Sequence, residues 1–492
     1  MWLLDGIANI PHSDSQVSDL TLDSREARAG SLFFALPGRQ AHGLEFAAQA
    51  AARGASVVLW EPCADLPAPA LPANVFAAAV PDLKNSVGRI ADRFFNWPSS
   101  GLRITGITGT NGKTTCAYLL AQCLERLGLP AAYIGTIGWG LPQALAQPTH
   151  TTPDVVTVHR ELAQLRTSGV REVAMEVSSH ALDQGRVDGV RFHVAAFTNL
   201  TRDHLDYHES MAAYGAAKSR LFQMPELKHI VLNIGDEYGR GLAQTYDGDA
   251  SLTAVWVGAG DSGWLADHAL YATEVRVGRR GIALQLDGSF GKLAVNTQLM
   301  GRFNAENALV VIACLLSLGI PFSEAAGALA DAAPAPGRME VLKSDARNKA
   351  TAVVDYAHTP DALAKALSAA REHCAGELWC VFGCGGDRDP GKRPIMGAIA
   401  ADLADQIIVT DDNPRSEDPE AITEAIVGGI KSRKVRVIHD RGEAIATALK
   451  EAQPLDLVLI AGKGHEDYQI YGDTRRSFSD RREALRYLGA AA

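Results

Sequence analysis

Cysteine is scarce in this chain: seven residues are scattered through 492, and only Cys380 and Cys384 share a short interval. That spacing excludes the paired C-x-x-C pattern of a zinc module and offers no disulfide framework, so reduced, mostly buried thiols are expected. A surplus of positive charge is also missing. Forty-seven Lys and Arg face 57 Asp and Glu, a net charge of −10 that disfavours a general nucleic-acid coat but leaves room for local cationic pockets around anionic small molecules. The longest strongly apolar run, Ala308 to Phe322, falls short of the roughly 18 residues of a membrane span. Met1-Trp2-Leu3-Leu4-Asp5 has no cationic segment ahead of its apolar residues, so no secretory signal or membrane insertion is expected and a cytoplasmic protein is. Long repeats and low-complexity tails are absent as well. What is present is ordinary globular composition, 47% hydrophobic and 21% charged, in a chain long enough for about three domains.

Two breaks punctuate the sequence. Asn96-Trp97-Pro98-Ser99-Ser100-Gly101 closes the first hundred residues, and Ala332-Ala333-Pro334-Ala335-Pro336-Gly337 falls near 335. They divide the chain into expected domains 1–100, 101–335 and 336–492. Between the breaks, Leu102–Ile107 reads as a strand, and Lys113–Leu127 has helical apolar spacing closed by Gly128 and Pro130. Short apolar runs follow at 172–177, 194–198 and 229–233. After the second break, strands are expected at 350–354, 378–382, 406–410, 435–438 and 455–460, with helices between. Such alternation implies an α/β chain with mainly parallel sheets, whose ligands gather beyond the carboxyl ends of the strands. Four polar clusters sit at those ends: 355–358, 383–388, 411–415 and 462–466.

The sharpest local signal is Gly109-Thr110-Asn111-Gly112-Lys113-Thr114-Thr115 between a strand and a helix. Glycines there let backbone N–H groups wrap phosphates at a helix N-terminus while Lys113 neutralises them and Thr114 faces Mg²⁺. Ile107 stands where the common pattern has its first glycine, so the loop is a variant; a turn without ligand is the alternative. A kinase, a GTPase or a ligase could each use it. Glu176, in Glu176-Val177-Ser178-Ser179-His180, and His204, in Asn199-Leu200-Thr201-Arg202-Asp203-His204, end two further apolar runs and could hold a cation. An acid at a strand end is as readily a satisfied hydrogen-bond acceptor.

Together these blocks, with Gly337-Arg338-Met339-Glu340, resemble the Mur ligases of bacterial peptidoglycan synthesis, and within them the member that forms the tripeptide. The resemblance runs from Leu22-Asp23-Ser24-Arg25 to Gly462-Lys463-Gly464-His465-Glu466. It implies an N-terminal domain for a uridine nucleotide, a central P-loop ATPase and a C-terminal Rossmann-like domain for the incoming amino acid. It also implies a cytoplasmic monomer that uses ATP and Mg²⁺, activates the side-chain carboxylate of D-glutamate in UDP-N-acetylmuramoyl-L-alanyl-D-glutamate as an acyl phosphate, and joins meso-diaminopimelate to it. By the same resemblance Lys113, His204 and a carbamylated Lys218 are catalytic, and Thr114, Glu176, His204 and Lys218 serve Mg²⁺. Gly109 to Thr115, Asn304, Asn307 and Arg338 bind ATP. Leu22, Ser24, Arg39, Gln40, Ala41, His150, Thr151, Thr152, Ser178, Gln184 and Arg186 hold the UDP-sugar peptide. Arg388, Asp412, Asn413, Pro414, Arg415, Gly462 and Glu466 hold diaminopimelate.

Blander readings stand beside these. Lys218 could be a solvated helix lysine, the serines and threonines helix caps or turn residues, and Arg415 a loop arginine paired with a nearby acid. Charge favours the sharper reading of Arg415, since diaminopimelate offers a distal carboxylate that a guanidinium can grip with two parallel bonds, whereas lysine offers only an ammonium. Lysine as the added residue, a folylpolyglutamate-synthetase-like ligase, and a nucleotide-dependent switch remain as alternatives.

Overall fold

The computed structural model describes the chain apart from residues 1, 9–15, 39–40, 148–149, 247, 259–265, 279–280, 343–348, 432–434 and 490–492. It divides into two compact units: Met1–Lys113 with Gly128–Ile230 and Asp247–Ser251, and Thr114–Leu127 with Val231–Tyr246 and Leu252–Ala492.

In the first unit, β1 (Asp19–Thr21), β2 (Ser31–Ala35), β3 (Val57–Trp60) and β4 (Phe76–Ala79) form a parallel sheet in that order. Every residue of β2 is buried, as befits a parallel strand covered on both faces. Phe34 and Leu59 enter one core cluster with the helix Leu83–Phe94, while Phe33 and Val58 enter another with Ala47 and Ala50. A second sheet contains β5 (Arg103–Thr108), β6 (Ala131–Gly135), β7 (Gly138–Leu141), β8 (Ala144–Ala146), β9 (Glu172–Glu176) and β10 (Val194–Phe197) in the order β10-β5-β9-β6-β7-β8. The first four of these run parallel, and β7 and β8 add an antiparallel edge. Because β5, β9 and β10 are parallel neighbours, Thr108, Glu176 and Phe197 end at the same edge of the sheet.

The second unit carries most of β11 (His229–Asn233) and of β12 (Ser251–Val257), with β13 (His268–Gly278), β14 (Gly281–Gly288) and β15 (Leu293–Asn296), in the order β15-β14-β13-β12-β11. The apolar run from Ala308 becomes most of the helix Asn304–Ser317; it is buried on nearly all sides, so its apolar residues meet protein all round. Among the described residues no helix is long and apolar enough to cross a membrane.

The same unit holds β16 (Glu340–Leu342), β17 (Thr351–Asp355), β18 (Leu378–Phe382), β19 (Gln406–Val409), β20 (Val435–Val437) and β21 (Leu457–Ala461), arranged β16-β17-β21-β18-β19-β20. Only β16 is antiparallel to its neighbour. Strand alternation splits the core in two: Leu457, Leu459 and Ala461 pack on one face beside Leu363 and Met396, and Val458 and Ile460 on the other beside Ile445 and Leu485. The parallel register brings Asp355, Phe382, Val409 and Ala461, each the last residue of its strand, to one edge. A hairpin, β22 (Tyr468–Tyr471) with β23 (Thr474–Ser477), follows. The expected strands are therefore all present, shifted by two residues at most.

Candidate functional site

The loop after β5 is held by backbone geometry rather than by side-chain bulk. Gly109 has φ +147°, and a Cβ there would lie 1.9 Å from Thr198 Oγ1, so no larger residue fits. The segment after β10 buttresses the loop. Thr110 N donates to Asn199 O (2.8 Å), Asn111 N to Asn199 Oδ1 (2.9 Å), Thr198 Oγ1 to Asn111 O (2.6 Å), and Thr201 N to Thr110 Oγ1 (3.0 Å). Lys113 begins the helix Lys113–Arg126 and its Nζ donates to the carbonyls of Gly109 and Thr110, both at 2.9 Å. Thr114, next along, is buried.

Lys218 is not the solvated lysine that its helical position allows. It is 1% exposed, donates to Gly109 O at 2.7 Å, and sits 4.3 Å from the centre of the Tyr214 ring. Burial, with Lys113 close by, pushes its pKa down to about 6, leaving a largely neutral and nucleophilic amine at pH 7. Tyr214 is itself anchored by a 3.2 Å contact between its hydroxyl and Thr110 Oγ1.

Glu176 is completely buried. Its Oε1 accepts from Thr136 N (2.9 Å) and from the Tyr133 hydroxyl, and its Oε2 from Thr136 Oγ1 (3.2 Å). It is thus a satisfied acceptor in this arrangement. His204 occupies left-handed backbone (φ +51°) and lies edge-on to His180 at 4.9 Å; His180 in turn meets Tyr207 and His208. Burial lowers the pKa of His204, and burial, with the repulsion that a charged His204, His208 or Arg186 would add, pushes that of His180 down to about 4, so both rings favour the neutral form that binds metals. Among the described residues no three His, Cys, Asp or Glu side chains converge as metal ligands.

Beside the end of β9 a second group assembles. Thr152 Oγ1 donates to Glu176 O at 2.9 Å, Arg186 Nη1 to Thr152 O at 3.0 Å, Arg186 Nε to Gln184 Oε1 at 2.9 Å, and Gln184 Nε2 to the Tyr207 hydroxyl at 3.0 Å. Thr151 meets Thr136 at 3.2 Å. Ser178 caps the short helix Ser179–Asp183, so the blander reading holds for it at least in part. His150 is exposed. Near the start of the chain, Leu22 packs on the core beneath β1–β4, the buried Ser24 donates to Gln49 Oε1 at 2.7 Å, and Ala41 O accepts from Gly38 N at 3.1 Å. Arg39 and Gln40 lie outside the described residues.

In the second unit, Asn304 and Asn307 are buried and bonded to one another, Nδ2 of Asn307 to Oδ1 of Asn304 at 2.7 Å. The Arg338 guanidinium stacks over Tyr356 at 4.6 Å; next to it, Gly337 is required because a Cβ would come 2.2 Å from His465 N.

The four strand ends β17, β18, β19 and β21 build the remaining site. Asp412 and Asn413 are nearly buried. Lys463, fully buried, donates to Asn413 Oδ1 (3.2 Å) and Glu466 Oε2 (3.1 Å), and Asn413 Nδ2 donates to the same Glu466 oxygen (3.0 Å). Gly462 has φ +118°, and a Cβ there would approach Asp412 Oδ2 to 2.7 Å. Arg415 (φ +55°) is pinned through its backbone to β22, its N donating to Ile470 O and its O accepting from Gly472 N. Its Nη1 donates to the carbonyls of Gly386 (2.8 Å) and Asn413 (3.3 Å), not to a carboxylate, among the described residues. Pro414 packs its carbonyl against Gly386, and Arg388, exposed, donates to its neighbour Asp387 O at 3.1 Å.

Several participants escape a reading of sequence. Asn199 lies in the segment ending at His204 without standing out, Tyr214 lies one helical turn before Lys218, and Lys463 sits between two glycines of a recognised cluster. The buried pair Arg441–Asp480 (2.6 Å), whose arginine also donates to Ala461 O, has no local signal because the two residues are distant in the chain. All seven cysteines are free, and five are buried.

A phosphate-type loop with a reactive lysine, and a strand-end cluster of charged groups, are the parts of an ATP-dependent ligase. Family models agree: residues 16–94 match the Mur ligase family catalytic domain, 107–315 the Mur ligase middle domain, and 337–464 the Mur ligase glutamate ligase domain. The chain belongs to the Mur ligase family, whose members build peptidoglycan precursors. It is 46% identical to the UDP-N-acetylmuramoyl-L-alanyl-D-glutamate--2,6-diaminopimelate ligase of Alkalilimnicola ehrlichii, over 97% of this chain and 95% of that one. To the ligase of the same name from Xanthomonas oryzae pv. oryzae it is 49% identical, over 97% and 94%. A solved structure of a ligase with this name superposes with a TM-score of 0.71 at 35% identity, covering 97% of both chains.

Proposed function

We propose that this chain joins meso-diaminopimelate to the γ-carboxylate of D-glutamate in UDP-N-acetylmuramoyl-L-alanyl-D-glutamate, as a cytoplasmic monomer without membrane insertion, with domains at 1–100, 101–335 and 336–492. The carboxylate oxygen attacks the γ-phosphorus of ATP and ADP leaves. The amine then attacks the acyl phosphate carbon, a C–N bond replaces the C–O bond, phosphate departs, and the amine sheds a proton. Lys113 and the N–H groups of the 109–115 loop hold the phosphates at the head of a helix. Gly109, fixed against Thr198, keeps that loop open for close backbone approach. Thr152, Ser178, Gln184 and Arg186 hold the peptide end of the nucleotide substrate, with Leu22, Ser24, Arg39, Gln40, Ala41, His150 and Thr151 on the remainder. The ATP contacts of Asn304, Asn307 and Arg338 belong to the same proposal.

The donor set fits Mg²⁺ in part. Thr114, neutral His204 and Lys218, as a carbamate formed when its neutral amine adds CO₂ and releases a proton, are apt hard or imidazole ligands; Glu176 would have to exchange its present donors. When bound, the ion offsets the repulsion between the phosphates and the attacking carboxylate.

The observation that carries the choice of amino acid is Arg415. Its guanidinium rests on carbonyls rather than on a carboxylate, on a backbone tied from both sides, and so is free to bind the distal carboxylate of diaminopimelate. Purified protein with MgATP and the UDP-dipeptide, given meso-diaminopimelate or L-lysine in parallel, tests it by phosphate release and product mass. Tripeptide formed only with diaminopimelate is expected. Lysine use would overturn the specificity, and phosphate release without product would favour a nucleotide switch.

A further inference from the structure

The strand-end site contains a fully buried cation that no substrate can touch. Lys463 is 0% exposed, and an ammonium in such a place is tolerated only when its charge is matched and its protons are bonded. Glu466 Oε2 at 3.1 Å matches the charge, and that oxygen and Asn413 Oδ1 at 3.2 Å, both from residues assigned to the amino acid, take two of its three protons, with the centre of the Tyr468 ring 5.4 Å away. The arrangement has two directional consequences. First, Asn413 has one possible orientation. Its Oδ1 accepts from Lys463 and from Ile470 N (3.0 Å) while its Nδ2 donates to Glu466 (3.0 Å); a flipped amide would set two donors against its NH₂. Second, both inward bonds fall on the same oxygen of Glu466. Its Oε1 makes no hydrogen bond among the described residues, and the side chain is 19% exposed, so this oxygen faces outward as an acceptor. The backbone under Lys463 is equally fixed. Gly462 and Gly464 flank it at φ +118° and +54°, and a Cβ on Gly464 would lie 2.8 Å from Gly337 O.

We infer that Lys463 is a positioning residue of the amino-acid site, locking Asn413 and Glu466 so that Glu466 Oε1 is presented to the ammonium of the incoming amino acid. The inference rests on the proposed reading of that site. It differs from a stabilising role such as that of Arg441, whose partner Asp480 is itself 0% exposed.

Steady-state kinetics on Lys463→Met, Glu466→Gln and the double variant test it, with melting temperatures to check folding. Lys463→Met should raise KM for meso-diaminopimelate about 10- to 100-fold, the scale of lost hydrogen bonds to a charged group, while KM for ATP and for the UDP-dipeptide stay put. The double variant should be no worse than the poorer single one, because both act through one oxygen. An unchanged KM for the amino acid, a parallel rise for all three substrates, or additive losses would overturn the inference. If Lys463→Met fails to fold, Lys463→Gln, which keeps a donor without the charge, is read in the same way. A parent enzyme that uses lysine instead defeats the proposed function alone, and the variants are then judged by KM for lysine, which carries the same α-ammonium. If neither amino acid supports turnover, both readings fall.

Discussion

Two buried lysines set the nucleotide loop and the strand-end site apart. Lys218 and Lys463 are 1% and 0% exposed, yet their surroundings are opposite. Lys218 is bonded to a carbonyl, lies over an aromatic ring and has another lysine nearby, so its proton is expelled and a nucleophilic amine remains. Lys463 is bonded to a carboxylate and an amide oxygen, so its head group has a counter-charge within hydrogen-bond reach. Burial alone therefore does not decide what a lysine does. The charge lying beside it matters as well, because a second lysine disfavours the ammonium whereas a carboxylate offsets its charge.

The largest effect expected on this comparison comes from Lys113→Ala, which removes the loop's phosphate cation. Ligation should fall by at least about 10²–10³-fold, while diaminopimelate binding measured by calorimetry stays intact. Retained turnover would remove the phosphate role from the loop. Next, Arg415→Ala should cost about tenfold to a hundredfold in kcat/KM for diaminopimelate and leave KM for ATP unchanged; a loss shared by both substrates would show that this residue is not confined to the amino-acid side. The smallest and most discriminating effect is on stability. Since Lys218 has a pKa of about 6 in the fold against an ordinary 10.5, the unfolded chain binds a proton that the folded chain refuses between those values, and stability rises with pH across the window. Lys218→Met abolishes this penalty. It should melt above the parent below about pH 6, by an amount that shrinks as pH climbs toward 10.5, whereas Lys463→Met should melt below the parent. A lowered melting temperature for Lys218→Met near pH 6 would mean that the amine is better compensated than its surroundings indicate.

The same contrast explains what the sequence could disclose. Most of the fold was legible because continuous apolar runs such as Leu378–Phe382 and Leu457–Ala461 separate at regular intervals, and because Gly109 to Thr115 is a contiguous loop whose chemistry belongs to its backbone. The role proposed for Arg415 came from the resemblance of Asp412-Asn413-Pro414-Arg415 and from the charge of diaminopimelate, not from its local pattern alone. Lys463 was visible only as a letter between glycines, since its meaning depends on Asn413, fifty residues away. The character of Lys218 required Gly109 and Tyr214 to fold around it, and helical spacing alone equally allowed a solvated side chain. Arg441 and Asp480 could not be paired in advance at all, since neither lies in a motif.

The most direct test of the contrast between the two lysines is carbon-13 NMR of the protein equilibrated with ¹³C-labelled bicarbonate at neutral pH. One protein carbamate resonance is predicted, lost in Lys218→Met and kept in Lys463→Met. Absence of any carbamate signal, or its survival in Lys218→Met, would contradict the account.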